Sequence, residues 1–176
     1  MERRTKATLI FVTSIVSIYV IFAMIETANL SSKTVDEAFG KFINGEFKTE
    51  VAQNEIDKEF YRKGNYTFVP FEFEDSVSLV QFEKGIFGWK KSYHSHYKNR
   101  DYSHSGFYGD GESLFHGIIP KDIVSETKTI KVNGKNADIV MLNNEIAIWI
   151  IMDIQNNFDN LNIDALDKFG NVIAEL

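Results

Sequence analysis

The chain has 176 residues, with 19 Lys plus Arg against 25 Asp plus Glu, a net charge of −6 and no cysteine. That composition excludes structural disulfides, thiol catalysis and a lipid-modified N-terminal cysteine, and the acidic balance argues against general nucleic-acid binding. The length suits one domain or two small ones.

The first 25 residues set the organisation. Glu2-Arg3-Arg4-Thr5-Lys6 precedes an apolar run over residues 7–25 that no acidic, basic or amide side chain interrupts. As a helix this run is about 28 Å long, close to the hydrocarbon thickness of a bilayer. Thr13, Ser14 and Ser17 can return their hydroxyl protons to the helix's own carbonyls, so lipid tolerates them. A cleaved signal peptide is the rival reading. The run is longer than a usual signal core, and the nearest small-residue cleavage pattern would have to use Glu26 and Ala28. An uncleaved anchor is therefore expected, as the chain's contact with the lipid bilayer. Arg3, Arg4 and Lys6 stand before it and Glu26 after it. By the positive-inside rule residues 1–6 are a cytoplasmic tail, and everything after a 26–33 spacer is extracytoplasmic.

Residues 34–176 are expected to form a β-rich domain. Thr34-Val35-Asp36-Glu37 reads as a capping box, and Val35, Ala38, Phe39, Phe42 and Ile43 follow at helical spacing. This predicts a short amphipathic helix over 34–43, ended by Asn44-Gly45. Residues 46–63 fit a helix or a strand. From Tyr66 the pattern turns β: strands over 66–73, with Pro70 suggesting an edge or a bulge, 77–82 and 86–97, with a turn at Lys84-Gly85. The polar, Gly/Ser/Tyr-rich stretch 98–112 reads as a long loop. Residues 113–119 return to the core and Pro120 closes them. Asn133-Gly134 between apolar runs is a strong hairpin signal. Residues 145–152 read as a central strand covered on both faces, 161–165 as a half-exposed strand and 172–174 as a last short one. The fold class is thus mainly β with α: an N-terminal transmembrane helix, a short amphipathic helix, an antiparallel meander and C-terminal strands of an Ig-like sandwich type over 118–176. A sub-boundary is expected near 112–125.

Two segments carry a resemblance. One is V-Q-F-E-K-G-I-F-G-W-K-K over 80–91. The other runs through I-K-V-N-G-K-N-A-D-I-V, A-I-W-I and I-D-A-L-D-K-F-G-N-V-I, in order, within 130–173. Together they resemble a group of small uncharacterised surface proteins of Gram-positive spore-forming bacteria. The resemblance implies a membrane anchor or lipoprotein signal and a β-rich ectodomain, with no known activity or site; the missing cysteine departs from the lipoprotein pattern. The lysine-, isoleucine- and asparagine-rich composition also fits an AT-rich bacterial genome.

No H-E-x-x-H, G-x-S-x-G, P-loop or S-x-x-K motif is present, and Gly109-Asp110-Gly111 has no third glycine. All four histidines fall between His94 and His116. His94 and His96 flank Ser95, so on a strand both imidazoles share a face and could hold a metal ion with His104, Asp101 or Asp110 from the loop. The plainer reading is a polar surface. The same region interleaves Tyr93, Tyr97, Tyr102 and Tyr108 with Arg100 and lysines, a candidate ligand-binding face for sugars or anionic envelope polymers. The plainer reading there makes Trp89 and Phe87 core strand residues. Oxygen side chains between Asp153 and Asp159 fail as an EF-hand, because Phe158 replaces the turn glycine. The leading expectation is a non-enzymatic, membrane-anchored module that binds a protein or cell-envelope component, without cofactor and without nucleic acid. The alternatives are a metal-binding or sensing ectodomain using His94–His116 and, more weakly, an enzyme with an unrecognised site.

Overall fold

The computed structural model describes residues 2–47, 56–74, 76–98, 102–109, 112–154 and 161–176. The first helix, α1 (Glu2–Leu30), is longer than the apolar run. It continues past residue 25 into the 26–33 segment expected as a spacer, as far as Leu30, because Ser31 N donates back to Thr27 O and Ala28 O and closes its last turn. Ser14 Oγ donates to Ile10 O at 2.9 Å and Thr27 Oγ1 to Ala23 O at 2.8 Å, so these hydroxyls are internally satisfied. The stretch Arg4–Leu30 is long and apolar enough to cross a membrane, and none of its most apolar window is buried against the rest of the protein.

The second helix, α2 (Val35–Phe47), starts where the capping box places it. Glu37 N donates to Thr34 Oγ1 at 3.1 Å, and the Glu37 carboxylate reaches back to Lys33 N at 3.0 Å. The helix runs through Asn44-Gly45 instead of stopping there. The cause is tertiary: Phe47, one turn beyond Ile43, packs against Phe42, Phe71 and Phe73.

Two antiparallel sheets follow. The first has the order β1-β2-β3-β4, from β1 (Tyr61–Lys63), β2 (Tyr66–Phe73), β3 (Ser76–Gly85) and β4 (Gly88–Tyr97). The ambiguous region thus ends in a strand, and the chain before it already runs beside β2, with Glu59 N donating to Pro70 O. Pro70 is not on an edge: it lies in the middle of β2, opposite Leu79. A residue's N and C=O point to the same side of a strand, so the missing N–H of Pro70 faces the short β1 side and not the long β3 ladder. The β3–β4 turn is Ile86-Phe87 and not Lys84-Gly85, which makes Phe87 an exposed turn residue and not a core one.

The second sheet has the order β11-β10-β7-β8-β9-β6-β5. Its strands are β5 (His104–Gly109), β6 (Glu112–Ile119), β7 (Thr129–Val132), β8 (Lys135–Met141), β9 (Ala147–Met152), β10 (Ile163–Leu166) and β11 (Val172–Glu175). Asn133 (φ 50°) and Gly134 (φ 78°) form the expected two-residue hairpin turn, both left-handed as a type I′ turn requires. The order β10-β7-β8-β9 is a Greek key. The region expected as a loop over 98–112 contains β5. Its Gly, Ser and Tyr residues hide a strand signal because β5 is an edge strand that, among the described residues, pairs only with β6.

Three apolar layers hold these elements. Phe39, Phe42 and Ile43 of α2 cover one face of the first sheet on Val69, Phe71, Val80 and Phe82. Its other face, through Phe68, Val77 and Leu79, meets Leu114, Ile118, Ile148 and Ile150 of the second sheet. The second sheet then curls, so that Phe115, Trp149 and Ile151 share a third core with Ile130, Val132, Ile163 and Ala165 from strands further along it. β9 is therefore apolar on both faces, as its unbroken run predicts.

Candidate functional site

The histidine- and tyrosine-rich segment is divided by the pleat of β4. Successive side chains point to opposite faces, so Tyr93 and Tyr97 face the second sheet while His94 and His96 face outward on the α2 side. The inner set meets His116 of β6. His116 is fully buried, and its Nε2 lies 3.1 Å from the Tyr93 hydroxyl. Its Nδ1 is hydrogen-bonded to the Tyr97 hydroxyl, which also donates to the His116 carbonyl at 3.2 Å. The proton inventory closes with Nδ1–H donating to the Tyr97 oxygen and the Tyr93 O–H donating to Nε2. Tyr93 also lies 3.4 Å from Ser105 Oγ and packs on Phe107, both of β5. The Tyr–His–Tyr cluster thus bridges the two sheets.

Burial sets its electrostatics. Desolvation, with a smaller contribution from the nearby His104, pushes the His116 imidazole down to about 3, so it is neutral at ordinary pH. Desolvation also drives the Tyr97 hydroxyl well above its usual range. Neither group exchanges a proton near neutrality, and the cluster acts as a fixed hydrogen-bonded crosslink. Tyr97 is 4% exposed, which removes it from any surface ligand face. Tyr93 is half-buried in the same cluster. Tyr102 is partly exposed at the β5 edge, where its hydroxyl lies 2.9 Å from His104 Nδ1, and burial raises it to about 12. Arg100, Asp101 and Asp110 lie outside the described residues, as does the side chain of Tyr108 and residues 155–160 of the oxygen-rich loop.

The histidines do not converge. His94 and His96 share a face, as period two requires. His94 packs edge-on against Phe42 at 4.9 Å, and its Nε2 is buried without a partner among the described residues. Desolvation lowers it, opposed by Glu46 and reinforced by Lys91 and His96. His96 Nδ1 is 3.0 Å from Ser78 Oγ. His104 belongs to β5, in the other sheet. Among the described residues no group of three His, Cys, Asp or Glu side chains is placed to hold a metal ion.

A second constellation surrounds Trp89, which is buried beneath α2. Ser32 and Trp89 exchange two backbone hydrogen bonds, of 2.8 and 2.7 Å, so the chain leaving α1 is pinned to the free edge of β4. Gly88 (φ 120°) allows this, since a Cβ there would fall 2.2 Å from Ser32 O. Arg62 and Lys84 lie over the Trp89 ring at 5.0 and 6.0 Å. Ser32 falls in a stretch whose sequence reads as spacer, because a bridge across 57 positions leaves no local pattern; the one signal is Gly88-Trp89, a glycine beside a large aromatic. The His116 cluster was equally hidden, although a single histidine inside the apolar L-F-H-G-I-I run marks a buried polar group. Comparison of the chain with protein-family models, curated proteins and solved structures gives no match.

Proposed function

We propose that the chain is a single-pass membrane protein, with its N-terminus cytoplasmic, whose β-rich domain is a non-enzymatic extracytoplasmic module binding a protein or cell-envelope component. The observation that carries the reading is α1, a helix with a wholly exposed apolar surface, joined through the Ser32–Trp89 pair to a domain with its own layered core. The basic Arg3, Arg4 and Lys6 before the span, with no Lys or Arg after it until Lys33, support the orientation. For the binding face we favour the β5 edge, where one side of the strand is unpaired in the sheet order and Tyr102 and His104 are accessible. The Greek-key order of the C-terminal strands supports the Ig-like reading of 118–176.

The absence of cysteine makes the test direct. Asn136→Cys, in exposed β8, is expected to react with a membrane-impermeant maleimide on intact cells. Labelling only after lysis would overturn the orientation. A photo-crosslinker at position 104 should then form adducts that one at position 169 does not; equal or absent adducts would overturn the β5 face.

A second reading, metal binding, is favoured by the shared face of His94 and His96 and by His94 Nε2, which has no partner among the described residues. Calorimetric titration with zinc decides it. Heat equal to that of the His94→Ala/His96→Ala variant would end this reading.

A further inference from the structure

α1 ends at Leu30, and two residues on the chain is already fixed to β4. At this junction a groove of about 260 Å³ opens between the last turn of α1, α2 and β4. Leu30 and Phe42 supply apolar walls, Lys41 and Lys91 two ammonium groups, and Glu46 one carboxylate. The groove is thus net cationic in a chain of charge −6. Lys91 and Glu46 stand 3.8 Å apart, with side chains 44% and 48% exposed, a loose pair that leaves the ammonium open to another anion. Lys41 Nζ donates to Ser31 O at 3.1 Å and so offsets the negative end of the α1 dipole.

Ser32 is the independent mark of a ligand. It lines the groove, is 4% exposed, and its hydroxyl has no hydrogen-bond partner among the described residues. A buried donor is rarely left unpaired, and a turn of the Ser32 side chain about χ1 toward the groove would give this shielded hydroxyl an acceptor oxygen there. The level of the groove decides the source of that oxygen. From residue 25, the last of the unbroken apolar run, to Leu30 the helix rises about 7.5 Å, roughly the depth of one headgroup layer. This holds whatever the tilt of the β-rich domain, because the last turn of α1 is itself a wall of the groove.

We infer that the groove binds the phosphate headgroup of an anionic phospholipid, whose acyl chains lie along the exposed apolar surface of α1. The inference rests on the reading of α1 as a membrane span. The phosphate oxygens meet Lys41 and Lys91 and, once its side chain turns toward them, the Ser32 hydroxyl, and Leu30 continues into the acyl region.

The test uses the full chain in nanodiscs of phosphatidylcholine with or without phosphatidylglycerol, followed by thermal unfolding and by native mass spectrometry of the released protein. Phosphatidylglycerol is expected to raise the melting temperature and to be retained severalfold over phosphatidylcholine. Lys41→Gln/Lys91→Gln should lose both effects. Ser32→Ala separates ligand from fold: removing an unpaired buried hydroxyl should leave the protein as stable or more stable in phosphatidylcholine, yet weaken the response to phosphatidylglycerol. Equal retention by the wild type and the double lysine variant would overturn the groove as the site. Equal protection by inorganic phosphate in pure phosphatidylcholine would assign it to a soluble anion and overturn the lipid. An unselective chain that still sits in the bilayer would sink this inference and leave the anchor standing. Failure to enter the bilayer would sink the anchor, and the inference with it.

Discussion

A neutral imidazole held by two tyrosine hydroxyls makes the protein sensitive to acid. His116 drops from an ordinary 6.5 to about 3 on folding. Between those values the unfolded chain binds a proton that the folded chain lacks, so this contribution is complete above pH 6.5 and is lost as pH falls. The slope is about 1.4 kcal/mol per pH unit over that window. Denaturant titrations at pH 7 and pH 5 are expected to show the loss, and His116→Asn to flatten the profile by about one proton. His94, shifted in the same direction, supplies a smaller residual slope. One position away, Gly117 has a different constraint: a Cβ there would lie 2.7 Å from Ser103 O and 2.8 Å from Trp149 Nε1. Gly117→Ala should destabilise by about 1–3 kcal/mol, the usual range for overpacking, read as a lowered denaturation midpoint at unchanged slope. The sequence names both residues but not their neighbours, since His116 and Tyr93 are 23 positions apart and meet only when the sheets stack.

Elements whose signal is local were legible. The Thr34 cap, the Asn133-Gly134 turn and the run entering β9 each state their structure within a few residues, because the physics behind them acts over a few residues. The strand β5 was not legible: its stability comes from the β6 ladder and from Phe107 packing on Tyr93, neither of which is visible in a Gly- and Ser-rich string. Likewise α2 gains its last turn from Phe47 seated on Phe71 and Phe73. At the same scale, Gly88→Ala should disrupt the bridge between the chain after α1 and β4. Its Cβ has no room beside Ser32 O and its φ is left-handed. Amide exchange at Ser32 and Trp89 is expected to accelerate while that in β9 stays unchanged. Unchanged exchange at Ser32 would mean that the bridge is not what fixes the junction.

The whole β-rich part should unfold in one transition. Phe68, Val77 and Leu79 of the first sheet share a core with Ile148 and Ile150, and the opposite face of β9 belongs to the third core. Removing β9 from either layer therefore exposes both sheets. Far- and near-ultraviolet circular dichroism of the protein in nanodiscs should give coincident denaturant curves, and Ile148→Ala should lower both together by about 2–5 kcal/mol. Two separated transitions would show that the sheets are independent units. The inter-sheet pair Lys63–Asp138, at 2.6 Å but about two-fifths exposed, adds little to this coupling.

The sequence by itself determined the apolar helix, the β class, the capped start of α2, the tight hairpin and the doubly buried central strand. Each follows from short-range pattern: an unbroken apolar run, period two, a capping residue, a left-handed turn pair. Only the tertiary structure decided that the histidines divide between two faces and two sheets, that Tyr97 is interior, and that 98–112 contains a strand. It alone brought Ser32, Lys41 and Lys91 together at the end of α1. Those outcomes depend on which side chains meet across tens of residues, and that choice belongs to packing, which no local pattern encodes.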